Sequence, residues 1–551
     1  MNPSDLKEGY MRHLIRRLTI SLLSLSLAIL IIGCDPSVTS TIQTSGTIAS
    51  AESATVAWIE TSAEPVSTFE PSSENTIAAT SAAPTVTPVP TTRPSPTAAP
   101  TTKPSPTAIP ADPSAIIHKN ALVIDTHNDT VLKIIGRDSW LPQINIANKT
   151  SFMVDIPKLK AGGIDMSTFA AYTSGYSLSS GGQDFARANS RLLALLNAGL
   201  WTISQNSRSI DQIRRFTDIA AAVDNAKIGV LLSIEGAYSL HGDTANELLR
   251  QYRDLGVLML SPVWSNSNAL GEGVNERFKD GPASSGGLTP LGSEIIAEMN
   301  RLGIVVDVSH MNDETFWDTV SVSSAPVIAS HSSVYSLCPN VRNLKDSQIE
   351  AIAAGGGVIQ VNFHRPFLAV DESAATLSTL VDHIDYVARL AGIDHVGLGS
   401  DFDGAKMPQG LPDAAAYPRI TQELFKRGYT EAEIRKILGG NIARVLESVW
   451  ANAPATISGT SVIEPALAMG SSVSSATPML TAIVGKPEAI DAASLRVIVD
   501  GTVYTPEFDP ATGLVSLTVT TALSEKFHVL TFAVTSTDGA QVRETRIFYI
   551  A

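Results

Sequence analysis

Residues 302–331 read LGIVVDVSHMNDETFWDTVSVSSAPVIASH, two short apolar runs that each end on a serine and a histidine. The runs are Ile304–Val308, closed by Ser309-His310, and Pro326–Ser330, closed by His331. The two histidines stand 21 residues apart, one strand–helix–strand step. Working outward, the same kind of run recurs at Ala121–Asp125, Ile164–Ala171, Ile228–Ile234 and Gly256–Trp264 before this stretch, and at Gly357–Asn362 and His395–Gly399 after it. Amphipathic connectors separate them, among them Asp184–Ala198, Thr244–Leu255, Pro290–Leu302 and Ala375–Ala391. Thr289-Pro290 places a good cap before a proline at the first helical position. Near-continuous apolar strands alternating with helices imply a parallel sheet covered on both faces. Eight such units in residues 114–451 predict an α/β fold, a (β/α)8 barrel with insertions, against an open doubly wound sheet. The polar residues at the run ends separate the two. His127 and Asp129, Glu235, Ser309-His310, Ser330-His331 and Ser400-Asp401 come from runs one, three, five, six and eight. A closed barrel gathers those ends at one mouth, whereas an open sheet would rarely bring its first and last strands to the same point as three others.

Those residues form a chemical set. His127-x-Asp129 points an imidazole and a carboxylate the same way, because strand side chains alternate with period two. Glu235 ends the run Val230–Ile234, where an unpaired carboxylate is costly to bury. Two cysteines in the whole chain exclude a cysteine-rich zinc module, so a metal would be held by His, Asp and Glu. Such donors suit zinc or another divalent first-row ion. Six of them exceed the needs of one catalytic ion. Two cations about 3.5–4 Å apart, bridged by Glu235 and a hydroxide, would use them all.

Beyond these donors, VIDTHND (123–129), SIEGAYSL (233–240), GLTPLG (287–292), NRLGIVVDVSH (300–310), PVIASHSSVYSLCPNVRN (326–343), GLGSDFDG (397–404) and GGNIARVL (439–446) follow in order. As a set they resemble the membrane (renal-type) dipeptidase family over about residues 115–450. The resemblance implies a binuclear zinc (β/α)8 barrel of the amidohydrolase type that hydrolyses dipeptides, including some with a D-residue at the C-terminal side. By motif it assigns His127 and Asp129 to one Zn2+, His310 and His331 to the other, and Glu235 to both. It makes Asp401 the general base and later acid, Arg342 the partner of the substrate carboxylate, and Asn362 a supporting substrate contact. A guanidinium pairs with a carboxylate bidentately, and holding that end limits substrate length. The chain departs from the family at Trp264, where relatives often carry a histidine. An indole N–H donates but neither accepts nor titrates, so Trp264 is expected to be an oxyanion donor or a pocket wall. That departure leaves a related amidohydrolase activity, on an N-acyl amino acid or a lactam, as an alternative. A non-catalytic surface binding protein is the other. Cys338 is expected to pack without a partner.

The chain's 551 residues carry 39 Lys+Arg against 54 Asp+Glu, a net charge of -15, which argues against nucleic acid as a partner. Residues 1–34 have the layout of a secretory signal: Arg12, Arg16 and Arg17, then the apolar stretch Leu18–Ile32, then Gly33-Cys34. A small residue before Cys34 resembles a bacterial lipobox, so Cys34 is expected to carry a lipid that tethers the protein outside the cell membrane. Residues 35–113 are rich in Ser, Thr, Ala and Pro and predict a disordered, extended spacer. A linker is expected over 452–475 and a separate immunoglobulin-like β-sandwich over 476–551. The sandwich is read from the alternations Leu495/Val497/Val499, Val515/Leu517/Val519, Leu530/Phe532/Val534 and Ile547/Tyr549. Such a module suits a spacer or a cell-envelope contact. A homo-oligomer is compatible with the sequence, which does not select one.

Overall fold

In the computed structural model the described residues are 112–173, 184–274, 286–451 and 463–551. The signal segment, Cys34 and the spacer up to residue 111 lie outside them. Among the described residues nine strands precede residue 400: β1 (Ile124–Asn128), β2 (Met166–Tyr172), β3 (Ile210–Gln212), β4 (Ile228–Glu235), β5 (Val257–Ser261), β6 (Val305–Val306), β7 (Ile328–Ala329), β8 (Val358–Asn362) and β9 (Val396–Gly399). They pair in parallel in the orders β1-β2-β4-β5-β6 and β7-β8-β9, with β3 beside the start of β4. Parallel bridges join the two sheets at both ends: Asp307↔Ile328 links β6 to β7, and Asn128↔Phe402 links the end of β1 to the chain just after β9. The result is a mixed α/β fold.

Each of the eight expected runs overlaps a strand. All eight positions of β4, IGVLLSIE, are buried, which is why this strand reads as a continuous apolar run. β1 lies three residues later than its run, because Asn128 continues the ladder: its Nδ2 donates to Thr168 O (2.7 Å) and Ser167 Oγ (2.9 Å). His127 therefore sits inside the strand and Asp129 just beyond it. β3 was not expected, since three residues, Ile-Asp-Gln, leave no hydrophobic period to read. Helix Pro290–Leu302 forms as expected, with Thr289 Oγ1 accepting from Gly292 N. It stops at Gly303 (φ 67), whose left-handed backbone turns the chain straight into Ile304 and β6.

The carboxyl-terminal strands form two sheets. β10 (Ile463–Pro465), β12 (Met479–Val484), β16 (Leu514–Thr518) and β15 (Glu507–Asp509) make one. β11 (Ser471–Val473), β18 (Gln541–Ile550), β17 (Phe527–Ser536), β13 (Ile490–Val499) and β14 (Thr502–Tyr504) make the other. Leu480, Val497, Val515, Leu530, Phe532 and Phe548 form their shared core. Two expectations need correction. Residues 452–462 of the expected linker lie outside the described residues; among those described, the module already includes Ile463 and does not wait until 476, since β10 pairs with β12 and β11 with β18, both strands being three residues long and too short to show an alternation. Nor is it a separate body. Ile547 and Tyr549 do not belong to its internal core but, with Phe527 and Val529, pack into the core of the first domain. Period two sends alternate side chains to opposite faces, and here both faces of β17 and β18 are covered.

Polar contacts hold this junction. Gln251, fully buried on helix Ala245–Leu255, donates to Thr531 Oγ1 (3.0 Å) and Ile498 O (3.2 Å) and accepts from Gly501 N (2.8 Å). Ser190 Oγ accepts from Phe527 N (2.8 Å). Arg543 pairs with Asp254 (2.8 Å) and Glu247 (2.6 Å) of the same helix. Arg543→Met would leave two carboxylates facing each other without their cation. With the partners about a fifth exposed, the expected loss is about 2 kcal/mol, below that for a wholly buried pair, and thermal unfolding of the full chain measures it.

Candidate metal centre and active site

The carboxyl ends of β1, β4, β6, β7 and β9 bring together His127, Asp129, Glu235, His310, His331 and Asp401. Glu235 lies at the middle. Its Oε1 is 2.8 Å from His310 Nε2 and 3.5 Å from His331 Nε2, and its Oε2 is 3.4 Å from His127 Nε2. His310 Nε2 and His331 Nε2 are themselves 2.9 Å apart. The His127 and His331 rings stack at 3.8 Å between centroids. On the other side, His127 Nε2 is 3.9 Å from Asp129 Oδ2, and one ligand atom each of His127, Asp129 and Asp401 lies within 4.8 Å of the others.

The histidines are held by partners behind them. Ser330 Oγ donates to Asp307 Oδ2 (2.6 Å), so it accepts from Nδ1–H of His331 (2.7 Å). That tautomer leaves the Nε2 lone pair facing Glu235. His310 Nδ1 meets Ser265 Oγ at 2.9 Å. Asp307 also accepts from Ser261 Oγ, Ser309 N and Ser330 N, which holds the chain just after β6 to β7. His310 (φ 73) and Asp401 (φ 62) both have left-handed backbones, a conformation that costs a side-chain-bearing residue energy and collects at working sites.

The electrostatics of the cluster call for positive charge. Burial opposes charging His127, yet Glu235, Asp129 and Asp401 push it up to about 10. Burial, then the charge of Glu235, holds the Asp129 carboxyl well above the usual range. Burial likewise resists the charge on Glu235, but the three histidines hold it well below its ordinary value. Burial, with Arg342 nearby, keeps His310 and His331 low, as neutral donors. His127 Nε2 and Asp129 Oδ1 are buried with no hydrogen-bond partner among the described residues. Converging lone pairs, buried carboxylates and unsatisfied donor atoms in one place are what a cation satisfies, and the donor set fits metal ions.

The remaining expected residues line the same place. Asn362 Nδ2 donates to Asp401 Oδ2 (3.0 Å) and to His331 O (3.3 Å). Arg342 is buried; NH1 donates to Ser332 Oγ (3.3 Å) and NH2 to His331 O (3.2 Å), its guanidinium lies over Phe367, and its Nε has no partner among the described residues. Trp264 is half-buried, 5.7 Å from the His310 ring and 5.1 Å from Tyr172. Cys338 is buried and free, its Sγ directed at Pro366 O.

Residues 113–458 match the sequence profile of the membrane dipeptidases, peptidase family M19. The chain belongs to the membrane dipeptidase family. It is 40% identical over 236 residues to a Klebsiella pneumoniae protein described as an uncharacterized protein in the pqqA 5' region, covering 42% of this chain and 86% of that one. An uncharacterized dipeptidase of Schizosaccharomyces pombe is 34% identical over 343 residues, 60% of this chain and 80% of that protein. The solved Rhodobacter sphaeroides metallopeptidase, crystallised with a phosphinate mimic of the dipeptide L-Ala-D-Ala, is 29% identical with a TM-score of 0.53, covering 60% of this chain and 99% of that one. The chain is therefore a peptidase of the metallodipeptidase type, with a dipeptide as the substrate its family implies.

Several working residues of this membrane dipeptidase escaped the sequence reading. Asp307 was legible as a charge inside an apolar run, but the four hydrogen bonds it accepts from Ser261, Ser309 and Ser330 were not. Asp403 accepts from Met153 N (2.8 Å), Val154 N (3.3 Å) and Thr130 Oγ1 (2.8 Å), tying the start of the helix after β1 to a distant loop. Gly404 admits no side chain: a Cβ there would stand 1.9 Å from Asp129 Oδ2 and 2.8 Å from Asp401 Oδ1. Gly404→Ala must therefore push both carboxylates aside. The expected result is reduced metal content by elemental analysis and activity lower by about a hundredfold, as displacements of about 1 Å produce.

Proposed function

We propose that this chain hydrolyses dipeptides with a pair of zinc ions held by His127 and Asp129 on one side, His310 and His331 on the other, and Glu235 between them. The observation that carries the reading is Glu235, buried within 3.5 Å of three imidazole nitrogens, one in β1 and the others just after β6 and β7. The two bridges that join the parallel sheets support reading the eight principal strands as a (β/α)8 barrel, with this cluster at its mouth. Cations at these donors would acidify a coordinated water and polarise the scissile carbonyl.

The protein's own groups supply the rest. Asp401 accepts the attacking water's proton on a carboxylate oxygen and delivers it to the leaving amine. Asn362 holds the other oxygen of that carboxylate. Arg342, with Nε unengaged, binds the substrate's terminal carboxylate and so selects for two residues. Trp264 walls the pocket beside His310. A relative crystallised with a mimic of L-Ala-D-Ala supports acceptance of a D-residue at the C-terminal side. The layout of residues 1–34 supports export and a lipid tether at Cys34, with the spacer lifting the enzyme from the membrane and the β-sandwich as an envelope-facing part.

Asp401→Asn is expected to lower kcat by about a thousandfold while zinc content by elemental analysis stays the same; unchanged turnover would remove its assigned role. Arg342→Met should lower kcat/KM for dipeptides by about ten- to a hundredfold. Steady-state assays of the zinc-loaded full chain on L,L- and L,D-dipeptides, tripeptides and N-acyl amino acids test this reading. Fast tripeptide cleavage would contradict length selection, and a preference for N-acyl amino acids would favour the amidohydrolase alternative.

A further inference from the structure

A cavity of about 400 Å³ lies between the segment that leaves β1 and the helix Phe185–Gln205 that follows β2, lined by Leu132, Ile135, Arg137, Trp140, Arg187 and Arg191. Both segments begin at carboxyl ends of parallel strands, so the cavity belongs to the same end of the sheet as the metal cluster, yet it shares no residue with it. Among the described residues three arginines line it and no carboxylate does.

Arg191 sets the chemistry. Its NH1 is buried without a hydrogen-bond partner among the described residues, and among those residues burial lowers its tendency to hold charge with no acidic group opposing it. Two other arginines differ: half-buried Arg543 faces Asp254 and Glu247, and buried Arg342 lies within the field of Glu235 and Asp401. A guanidinium keeps its proton, so it cannot escape the cost of burial by neutralising itself. What Arg191 does contact is the Trp140 ring, 5.2 Å from Cζ to the centroid. Lys526 Nζ, from the approach to β17, lies 5.2 Å from the same centroid. Two cations thus share one indole. Trp140 has a left-handed backbone (φ 60) in a tight loop pinned by Trp140 N to Gly136 O and by the Ile135–Pro142 bridge. The loop holds a strained residue and presents its ring to the cavity beside an unanswered positive charge.

We propose that this cavity binds a small organic anion, its carboxylate or phosphate on Arg191 and its apolar body against Trp140, Leu132 and Ile135. An oxyanion supplies the acceptor that the buried NH1 lacks, and a flat apolar group covers the faces that the indole and the two aliphatic side chains offer. Arg137 and Arg187 stand at the exposed side and draw anions towards a protein whose net charge is otherwise -15.

Calorimetric titration of the full chain with benzoate, phenyl phosphate, inorganic phosphate and neutral benzyl alcohol tests the site. Benzoate or phenyl phosphate is expected to bind and benzyl alcohol not to; which of the two binds more tightly assigns the acidic group. Arg191→Met should weaken that binding by about tenfold or more, and Arg191→Lys, which keeps the charge, should recover part of it. Dipeptide hydrolysis and the unfolding temperature of both variants should match the parent, which separates loss of the site from loss of the fold. Absence of binding by both aromatic anions at millimolar concentration, or undiminished binding by Arg191→Met, would overturn the proposal. Inorganic phosphate binding as tightly as phenyl phosphate would overturn the role given to the apolar wall.

Discussion

Glu235 is the constraint on which this protein turns. A carboxylate at the buried end of a central strand is tolerable only when positive charge or hydrogen-bond donors surround it. Here three imidazoles do so, each from the carboxyl end of a different strand or the chain just after it, and two more carboxylates, Asp129 and Asp401, crowd the same space. The charges do not balance among the side chains: His127 is driven to bind a proton while Asp129 is driven to keep one. Cations resolve both demands together, which is why the local physics and the family's metallopeptidase chemistry point the same way.

The surrounding structure is arranged to keep that centre in place. Asp307, Ser330 and Ser265 set which nitrogens of His331 and His310 face inward. Asn362 and the left-handed backbone of Asp401 fix one carboxylate, and the bare backbone of Gly404 leaves room for it and for Asp129. Strain at His310 and Asp401 is sustained by neighbours that determine their positions several times over.

The carboxyl-terminal sheets extend this support outward. β17 and β18 contribute one face to the module's core and the other to the first domain, through Phe527, Val529 and Ile547. Gln251 and the Arg543 ion pairs add directional contacts to the same junction. An attachment of this kind fixes the module to helices Phe185–Gln205 and Ala245–Leu255, which follow β2 and β4, so the module acts as part of the enzyme's frame.

The sequence alone determined the parallel α/β order, the eight principal strands and the donors at their ends, because those features are local: continuous apolar runs, a cap at Thr289, and polar residues where each run stops. It also brought the family into view through motifs spread along the chain. What only the tertiary structure decided depends on contacts between distant residues. Strands of two or three residues such as β3, β10 and β11 have no period to read and exist because a neighbour pairs with them. Ile547 and Tyr549 alternate like core residues in either arrangement, so their pattern could not tell a free sandwich from one packed on a second domain. The reach of Asp307, the empty space at Gly404 and the unanswered charge of Arg191 follow from which side chains meet across the fold, a relation that a linear order of residues does not contain.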